Sequence, residues 1–234
     1  MPACAALAAA LPAADASLVN GDFETGDLTS WSNSAGATVE STGALAGVYS
    51  LVLPGGAAPD GNVSQFITPL TTPATASLLF SMADPGADAN RGFNMFLGSA
   101  GNSAQVNLRV VDLGNDGDGD LQVFDSASSW QTIISDAVVF GSTNSLSVSF
   151  TGYGASFGYD VAVNAASATG LSFYQNHATD FTAFDQVLFT NDFGVTGFTV
   201  DNVAVESASA VPEAAEALVF LLGFLGLASH RRRA

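Results

Sequence analysis

Residues 145–150, SLSVSF, alternate a serine with a large apolar side chain at every step. Successive side chains of a β-strand point to opposite faces, so this pattern predicts a strand with one apolar face against a core and one polar face toward solvent. Residues 105–110 and 159–163 have the same period of two. Turn-forming clusters of Gly, Asn, Asp and Pro separate these strands from further runs of β-forming residues. Those runs are residues 48–53, 63–67, 77–82, 93–97, 121–124, 138–140, 187–190 and 198–205.

The number and spacing of these runs decide the fold class. About a dozen short strands, with no helical period before the C-terminal tail, predict an all-β fold, a two-sheet antiparallel jelly-roll sandwich. A hydrophobic helix is expected in the tail. The chain then divides into a signal peptide over residues 1–16, a β-sandwich domain over residues 17–210 and a C-terminal tail over residues 211–234.

The charge balance excludes two classes of partner. The chain has 22 acidic residues against 5 arginines, and its formal net charge is −17. Three of those arginines, Arg231, Arg232 and Arg233, lie beyond the predicted domain. Such an acidic surface repels phosphate backbones and anionic lipid headgroups, so nucleic-acid binding and a polybasic membrane contact are not expected. Divalent cations and neutral sugars remain compatible with it.

The N-terminus has the order of an export signal. Residues 3–11 form an apolar run, and Pro12 with the small residues around Asp15 follows it, as in an h-region and its cleavage site. We place the mature start near Ser17. No Lys or Arg precedes the run, so we expect a start upstream or an atypical signal, and an alanine-rich terminus without a targeting role is the alternative. Cys4 would be removed with this segment, leaving no thiol for a disulfide.

The C-terminal tail joins a short motif, an apolar run and a basic end. Val211, Pro212 and Glu213 precede the uncharged residues 217–228, and the three arginines close the tail. Twelve helical residues span about 18 Å, well under the roughly 30 Å of bilayer hydrocarbon. The arginines would hold the extreme C-terminus on the cytoplasmic side and leave the domain outside. We therefore expect only a transient membrane contact.

This order of short motif, apolar run and arginine cluster resembles the PEP-CTERM sorting signal. The resemblance implies recognition by an exosortase-type membrane protease and delivery to the cell surface or to an extracellular matrix or biofilm rich in polysaccharide. The family usually has a second proline after the glutamate, where this sequence has Ala214. A small single-pass anchor that is never cleaved is the alternative.

Parts of the body resemble sugar-binding sandwiches. Residues 18–24, LVNGDFE, with Trp31 as a core residue, resemble the first strand of jelly-roll carbohydrate-binding modules. Residues 47–51 and 198–205 resemble their third conserved block and their last strand. The middle of the chain, residues 92–164, looks more like concanavalin-type or laminin-G-type lectin sandwiches. Both resemblances imply the same two-sheet fold.

In the carbohydrate-binding modules, carboxylates from the first and last strands complete a structural calcium site. The matching positions here are Glu24 and Asp201. Calcium takes six to eight oxygen ligands, which carboxylates and carbonyls supply. The apolar residues of 198–205 change face halfway along the run, so a β-bulge is expected near Asp201 and Asn202 that would re-aim their side chains. Ordinary solvated carboxylates are the alternative.

A second, weaker calcium candidate is the acidic stretch of residues 112–120. Asp116, Asp118 and Asp120 alternate as in loops that wrap a calcium ion. An EF-hand loop would need Gly at its sixth place and Glu at its twelfth, but those places hold Leu121 and Ala127. A glycine-rich hairpin connection between two strands explains the same residues, and we favour it.

Few residues suit catalysis. The body holds one histidine, His177, and three glutamates, Glu24, Glu40 and Glu206. The closely spaced acidic residues of concanavalin-type glycosidases do not occur. A Ser-His-Asp triad around His177 and carboxylates converging from distant strands stay open. We therefore expect a non-catalytic protein, with a secreted glycoside hydrolase or other polysaccharide-active enzyme on a concanavalin-like fold as the alternative.

Sugar binding would use exposed aromatic rings to stack on pyranose faces, while Asn, Asp and Gln bind the hydroxyls. Candidate rings are Trp130, Tyr49, Tyr153 and Tyr174. The sequence thus favours an exported β-sandwich of the extracellular matrix, either a structural component or a weak polysaccharide binder.

Overall fold

The computed structural model describes residues 18–56, 61–86, 91–99, 102–125, 129–174, 181–190 and 196–207. The predicted signal peptide, the sorting motif with its helix and arginines, and His177 lie outside these residues. Among the described residues, no helix is long and apolar enough to span a bilayer.

The described strands form two antiparallel sheets of seven strands each. Sheet 1 has the order β1 (Ser32–Asn33), β4 (Asn62–Leu70), β13 (Phe184–Thr190), β6 (Arg91–Ser99), β7 (Asn102–Val111), β8 (Asp118–Asp125) and β9 (Ser129–Val139). Sheet 2 has the order β12 (Ala166–Ser172), β11 (Gly158–Val163), β10 (Asn144–Phe150), β5 (Ala74–Met82), β14 (Phe198–Ser207), β3 (Ser50–Leu53) and β2 (Thr38–Glu40). The predicted all-β jelly-roll sandwich is confirmed.

Side-chain alternation places the core between the sheets. In β10, Leu146 and Val148 are buried, and the serines between them are not. Their cross-strand partners in β5 and β11, such as Leu78 and Val161, are buried on the same face. Each fully buried Leu, Val or Phe side chain contributes about 1.5–3 kcal/mol relative to exposure, so this face drives the pairing of the two sheets.

Aromatic rings fill the centre of the core. Phe93 of β6 packs against Phe80 of β5, with ring centroids 4.5 Å apart, and so joins sheet 1 to sheet 2. Trp31 packs against Phe23 and Phe189, and its Nε1 donates to the Asn20 carbonyl at 3.1 Å. The buried indole thus has a partner for its polar atom, and the expected core position of Trp31 is confirmed.

The sequence pattern missed strands at the sheet edges. β1, β2 and β12 were not predicted, and β9 begins at Ser129 rather than near residue 138. These strands bury few side chains: β12 and much of β9 are exposed or half-buried along their length. An edge strand pairs on one side only, so its sequence lacks the strong alternation that identifies a strand flanked on both sides.

Candidate functional site

A row of polar side chains crosses the outer face of sheet 1. It consists of Asn94 in β6, Arg109 in β7, Gln122 in β8 and Thr132 in β9, and cross-strand register pairs each with the next. Their sequence neighbours, such as Met95 and Leu108, point into the core, so alternation turns the row outward. We name these four residues the polar row. Three inter-strand gaps of about 4.8 Å make it roughly 14 Å long.

Hydrogen bonds hold much of the polar row in place. Arg109 Nε donates to Gln122 Oε1 at 2.8 Å, and Gln122 Nε2 donates to Thr132 Oγ1 at 3.0 Å. The Arg109 guanidinium carbon lies 4.0 Å from the ring centroid of Trp130, a cation–π contact. Arg109, Gln122 and Thr132 are therefore pre-arranged, and no large loss of side-chain entropy opposes their use in binding.

Two amide oxygens beside these groups are buried without a hydrogen-bond partner. They are Oδ1 of Asn94 and Oδ1 of Asn107, which lies on β7 two residues before Arg109 and on the same face. Asn94 is only 4% exposed. Leaving a buried acceptor unpaired costs about 1–3 kcal/mol, so such an atom in a folded protein calls for an explanation, such as a bound ligand or water.

Aromatic side chains border the polar row. Phe96 of β6 pairs with Asn107, and Phe124 of β8 pairs with Trp130 of β9. The Phe124 ring centroid lies 5.3 Å from that of Trp130 and 5.5 Å from that of Tyr174. Trp130 and Tyr174 are half-buried. Flat apolar surface therefore lies next to hydrogen-bonding groups, which is the combination that sugar recognition uses.

The other two predicted rings lie elsewhere. Tyr153 follows β10 and packs against Phe150 and Phe181, and burial of its unpartnered hydroxyl raises the pKa of that group. Tyr49 precedes β3, and its ring faces Gly26. The four candidate rings therefore do not form one site. Trp130 and Tyr174 share the border of the polar row, whereas Tyr49 and Tyr153 do not.

Glu24 binds the loop that leads into β3. Its Oε1 accepts hydrogen bonds from the N–H groups of Val48 at 2.8 Å and Tyr49 at 3.0 Å. These bonds, that from Tyr49 first, hold the pKa of Glu24 below its usual value. Gly47 has a φ of 58°, and a Cβ there would collide with the Glu24 carboxylate. Glycine is therefore required at this turn for the carboxylate to come so close.

Asp201 binds the same loop from β14. It is fully buried, and its Oδ2 accepts from Ala46 N at 2.8 Å and Ser50 Oγ at 2.7 Å. Its Oδ1 accepts from Asn202 N at 2.7 Å. The β14–β5 register shifts after Asp201, and Asn202 has a φ of 50°, so the predicted bulge is confirmed. We name Glu24, Asp201 and the loop of residues 45–49 the clasp.

The clasp brings the two predicted calcium ligands to one loop. N–H and O–H donors already make hydrogen bonds to both carboxylates, although neither carboxylate loses its charge by them. A calcium ion would have to share these oxygens with the donors and take further ligands from loop carbonyls. Among the residues described, no three His, Cys, Asp or Glu side chains are grouped to hold a metal.

The acidic stretch of residues 112–117 is the connection between β7 and β8, the hairpin that the sequence favoured. Its carboxylates bind their own loop. Asp112 is fully buried and accepts from the N–H groups of Asp116 and Gly117, at 3.2 and 3.3 Å. Asp120 accepts from Leu113 N at 3.1 Å, and Asp116 accepts from Asp118 N at 3.2 Å. Backbone N–H groups thus take the place that a cation would have.

A Gly-x-Ser-x-Gly pentapeptide occurs at residues 154–158 but does not form a nucleophile elbow. It lies in the hairpin between β10 and β11, where Phe157 N donates to the Gly154 carbonyl at 3.1 Å. A nucleophile elbow is a sharp turn from a strand into a helix, with the serine at its tip. Here strand follows strand, so the motif gives Ser156 no catalytic setting.

Sequence reasoning missed all four residues of the polar row and Asn107 beside it. Alternation in residues 105–110 set Asn107 and Arg109 apart from the apolar positions, but many strands of this chain have such a polar face. Only the strand order brings β6, β7, β8 and β9 together and selects this face.

No family model and no curated protein matches the sequence. Solved structures do match the fold. A carbohydrate esterase from a Shiga toxin-encoding bacteriophage is 17% identical, with a TM-score of 0.62 over 82% of this chain and 96% of its own.

Two further structures are similar at lower scores. A cellulose-induced protein is 14% identical, with a TM-score of 0.52 over 80% of this chain and 96% of its own. The carbohydrate recognition domain of Emp46p is 11% identical, with a TM-score of 0.50 over 81% of this chain and 95% of its own. At such identities the likeness establishes the jelly-roll-like sandwich and leaves function to be argued from the site.

Proposed function

We propose that this chain is an exported, non-catalytic carbohydrate-binding protein whose glycan site is the polar row with its aromatic border. The observation that carries the proposal is the pair of buried, unpartnered oxygens on Asn94 and Asn107, beside hydrogen-bonded Arg109 and Gln122. A polysaccharide offers many hydroxyl groups to such a row and a ring face to Trp130. Sites of this kind have few polar groups, each well placed, on an apolar background.

The similar structures add support at the level of the fold. A carbohydrate esterase and a carbohydrate recognition domain have the same sandwich, so the fold is compatible with sugar ligands. Non-catalytic binding is preferred to hydrolysis because the carboxylates of the acidic hairpin are bound to their own backbone. An enzyme would need an acid and a base free to reach the substrate.

The delivery of the protein belongs to the same proposal. The tail around Pro212 and Glu213 would direct it to an exosortase-type protease, and cleavage would release it from a transient membrane contact. The cell surface or extracellular matrix is then its destination, where polysaccharide is abundant. A net charge of −17 keeps it away from nucleic acids and anionic lipids.

A glycan array probed with the full-length protein in mild detergent tests this function. We expect retention on at least one polysaccharide, lost in Trp130→Ala and kept in Tyr49→Ala, whose ring lies at the clasp. Reducing-sugar release from a retained polysaccharide would replace binding with catalysis. Absence of retention on every polysaccharide at high micromolar protein would remove the glycan function.

Calcium at the clasp is a separate proposal, supported by the meeting of Glu24 and Asp201 on one loop. A ligand that binds only the folded state stabilises it by about 2.7 kcal/mol at a hundredfold excess over its dissociation constant. Thermal unfolding with calcium and with a chelator measures this directly. An unchanged Tm would show that calcium binds neither the clasp nor the acidic hairpin. Hydrogen bonds alone would then hold the carboxylates of both.

A further inference from the structure

The unpaired oxygen atoms in and beside the polar row set a condition on the ligand. Oδ1 of Asn94 and Oδ1 of Asn107 are acceptors, so only a ligand with hydrogen-bond donors satisfies them. A sugar hydroxyl donates one hydrogen bond and accepts others. A carboxylate or a sulfate only accepts, and placed here it would add its own unpaired charge to two unpaired oxygens.

One edge of the Arg109 guanidinium is already used inside the polar row. Bidentate recognition of a carboxylate needs two parallel N–H groups of one guanidinium edge. In this protein Arg109 Nε already donates to Gln122 Oε1 at 2.8 Å, and the guanidinium face covers the Trp130 ring at 4.0 Å. Using that edge for a carboxylate would break the contact that positions Gln122. Arg109 therefore positions Gln122, and an acidic sugar would be limited to the Nη1–Nη2 edge of the guanidinium.

The electrostatic field along one side of the row also disfavours anions. Asp120 lies on the same face of β8 as Gln122, and the hairpin beyond it carries Asp116 and Asp118. The carboxylates act on one another. The pKa of the exposed Asp136 is raised by partial loss of hydration and then by repulsion from Asp116, Asp120, Asp118 and Asp112. A polyanionic chain would meet this negative potential before it reached the row.

We propose that the ligand is a neutral, hydroxyl-rich polysaccharide whose hydroxyl groups donate to Asn94 and Asn107, an inference that rests on the glycan-binding function proposed above. Both oxygens are closed to solvent in this structure, so a neighbouring side chain rotates when the sugar enters. Trp130 lies against Arg109, and its fluorescence reports that rearrangement. The length of the row, roughly 14 Å across three inter-strand gaps, suits an oligosaccharide stretch rather than one ring.

Affinity and stability measured together on leucine variants test the inference. The probe is the neutral polysaccharide best retained by the full-length protein, compared with its carboxymethyl derivative. We expect carboxymethylation, Asn94→Leu and Asn107→Leu each to weaken binding about tenfold or more. The Tm of each leucine variant stays unchanged or rises by a few degrees, because an unpaired polar atom has been removed from a buried position.

Asn144→Leu is the matched control. Asn144 is also a buried asparagine, but its amide makes four hydrogen bonds and it belongs to β10 of sheet 2. We expect it to lower the Tm and to leave the affinity of the folded protein unchanged. A Tm lowered as much in Asn94→Leu as in Asn144→Leu would assign Asn94 a structural role and overturn the inference.

The remaining outcomes separate the two proposals. Binding to polyuronates such as alginate, or to the carboxymethyl derivative but not to its neutral parent, would overturn the neutral ligand and leave the glycan function standing. No binding to any polysaccharide would overturn both. Binding that persists in the Asn94→Leu, Asn107→Leu double variant would place the sugar on another surface.

Discussion

Asn144 and Asn94 are both buried asparagines, but their amide groups have different surroundings. Asn144 Oδ1 accepts from Val139 N and Asn164 Nδ2, and its Nδ2 donates to the carbonyls of Val139 and Ser142. It closes the turn between β9 and β10. Asn94 Oδ1 has no partner. Asn144 therefore stabilises the fold. Asn94 destabilises it, and a ligand that donates to its Oδ1 would offset that loss, as at many functional sites.

Replacing Asn144 by leucine should therefore be costly. We expect Asn144→Leu to lower the free energy of unfolding by about 1–3 kcal/mol, because it removes the four hydrogen bonds of a buried amide. Urea denaturation followed by circular dichroism measures the change. A loss under about 0.5 kcal/mol, the range of an ordinary surface substitution, would contradict this account of the turn.

Asp136 should destabilise the protein at neutral pH. Although Asp136 is exposed, its pKa is raised, first by partial loss of hydration and then by repulsion from the aspartates near the hairpin, and its φ is 54°, a conformation that asparagine also tolerates. The folded state holds this proton more tightly than the unfolded state, so stability falls as the pH rises above the unfolded value near 3.8.

We expect Asp136→Asn to raise the Tm at pH 7, and the gain to vanish once the pH falls below the unfolded pKa. Added salt should shrink the part of the gain that comes from Asp116 and Asp118, since these two neighbouring carboxylates are exposed. Tm measured for both proteins from pH 3 to 8 gives the curve. A gain that is the same at every pH would show that the backbone conformation, rather than charge, is responsible.

At the scale of elements, the clasp joins the segment before β1 to the loop between β2 and β3 and to β14. Asp201 of β14 and Glu24 of the opening segment hold one loop, and Val203 N donates to the Gly21 carbonyl at 2.8 Å. These contacts close a long loop in sequence, because Asp201 and Ala46 are far apart along the chain. The bulge at Asn202 makes the geometry possible by turning the Asp201 carboxylate toward the loop.

Asp201→Asn should open the clasp. One carboxylate oxygen becomes an NH₂ group, so either the hydrogen bonds from Ala46 N and Ser50 Oγ or the one from Asn202 N is lost, and we expect a loss of about 2–4 kcal/mol in the free energy of unfolding. Glu206→Gln on the exposed side of the same strand is the control and should change it by less than about 0.5 kcal/mol. An equal change in the free energy of unfolding for the two variants would show that the clasp does not stabilise the fold. Urea titration decides between them.

The clasp also shows how far sequence reasoning reached. The change of apolar phase along residues 198–205 predicted the bulge, and alternation in β7, β10 and β11 predicted those strands, because buried faces leave a period of two. The sequences of the edge strands β1, β2 and β12 have no such period of two. The polar row was beyond prediction for another reason: strand order brings Asn94 beside Arg109, and no local pattern records strand order.

At the scale of the whole molecule, charge and the ends of the chain set its surroundings. A strongly acidic domain stays soluble and avoids anionic surfaces, which suits a protein released among polysaccharides. Its proposed route depends on residues 211–234, in which an apolar run too short for a comfortable span follows Glu213. The tail is thus proposed as an address rather than as an anchor.

Intact-mass analysis of protein secreted by an exosortase-bearing host tests this route. We expect a chain that ends near Val211, because processing removes the apolar run and the arginines. Pro212→Ala with Glu213→Ala should leave uncleaved protein in the membrane fraction. A secreted product that still carries Arg233 would contradict C-terminal processing. Cleavage of the double variant would show that Pro212 and Glu213 are not needed for that processing.

The central claim is that sugar binds on the outer face of sheet 1. A crystal structure of the protein with an oligosaccharide of its best neutral polysaccharide tests that claim most directly. We predict sugar density along Asn94, Arg109, Gln122 and Thr132, hydroxyl oxygens within hydrogen-bond distance of Oδ1 of Asn94 and Oδ1 of Asn107, and a ring against the aromatic border. Density on the outer face of sheet 2 or at the clasp, with the polar row unchanged, would contradict it.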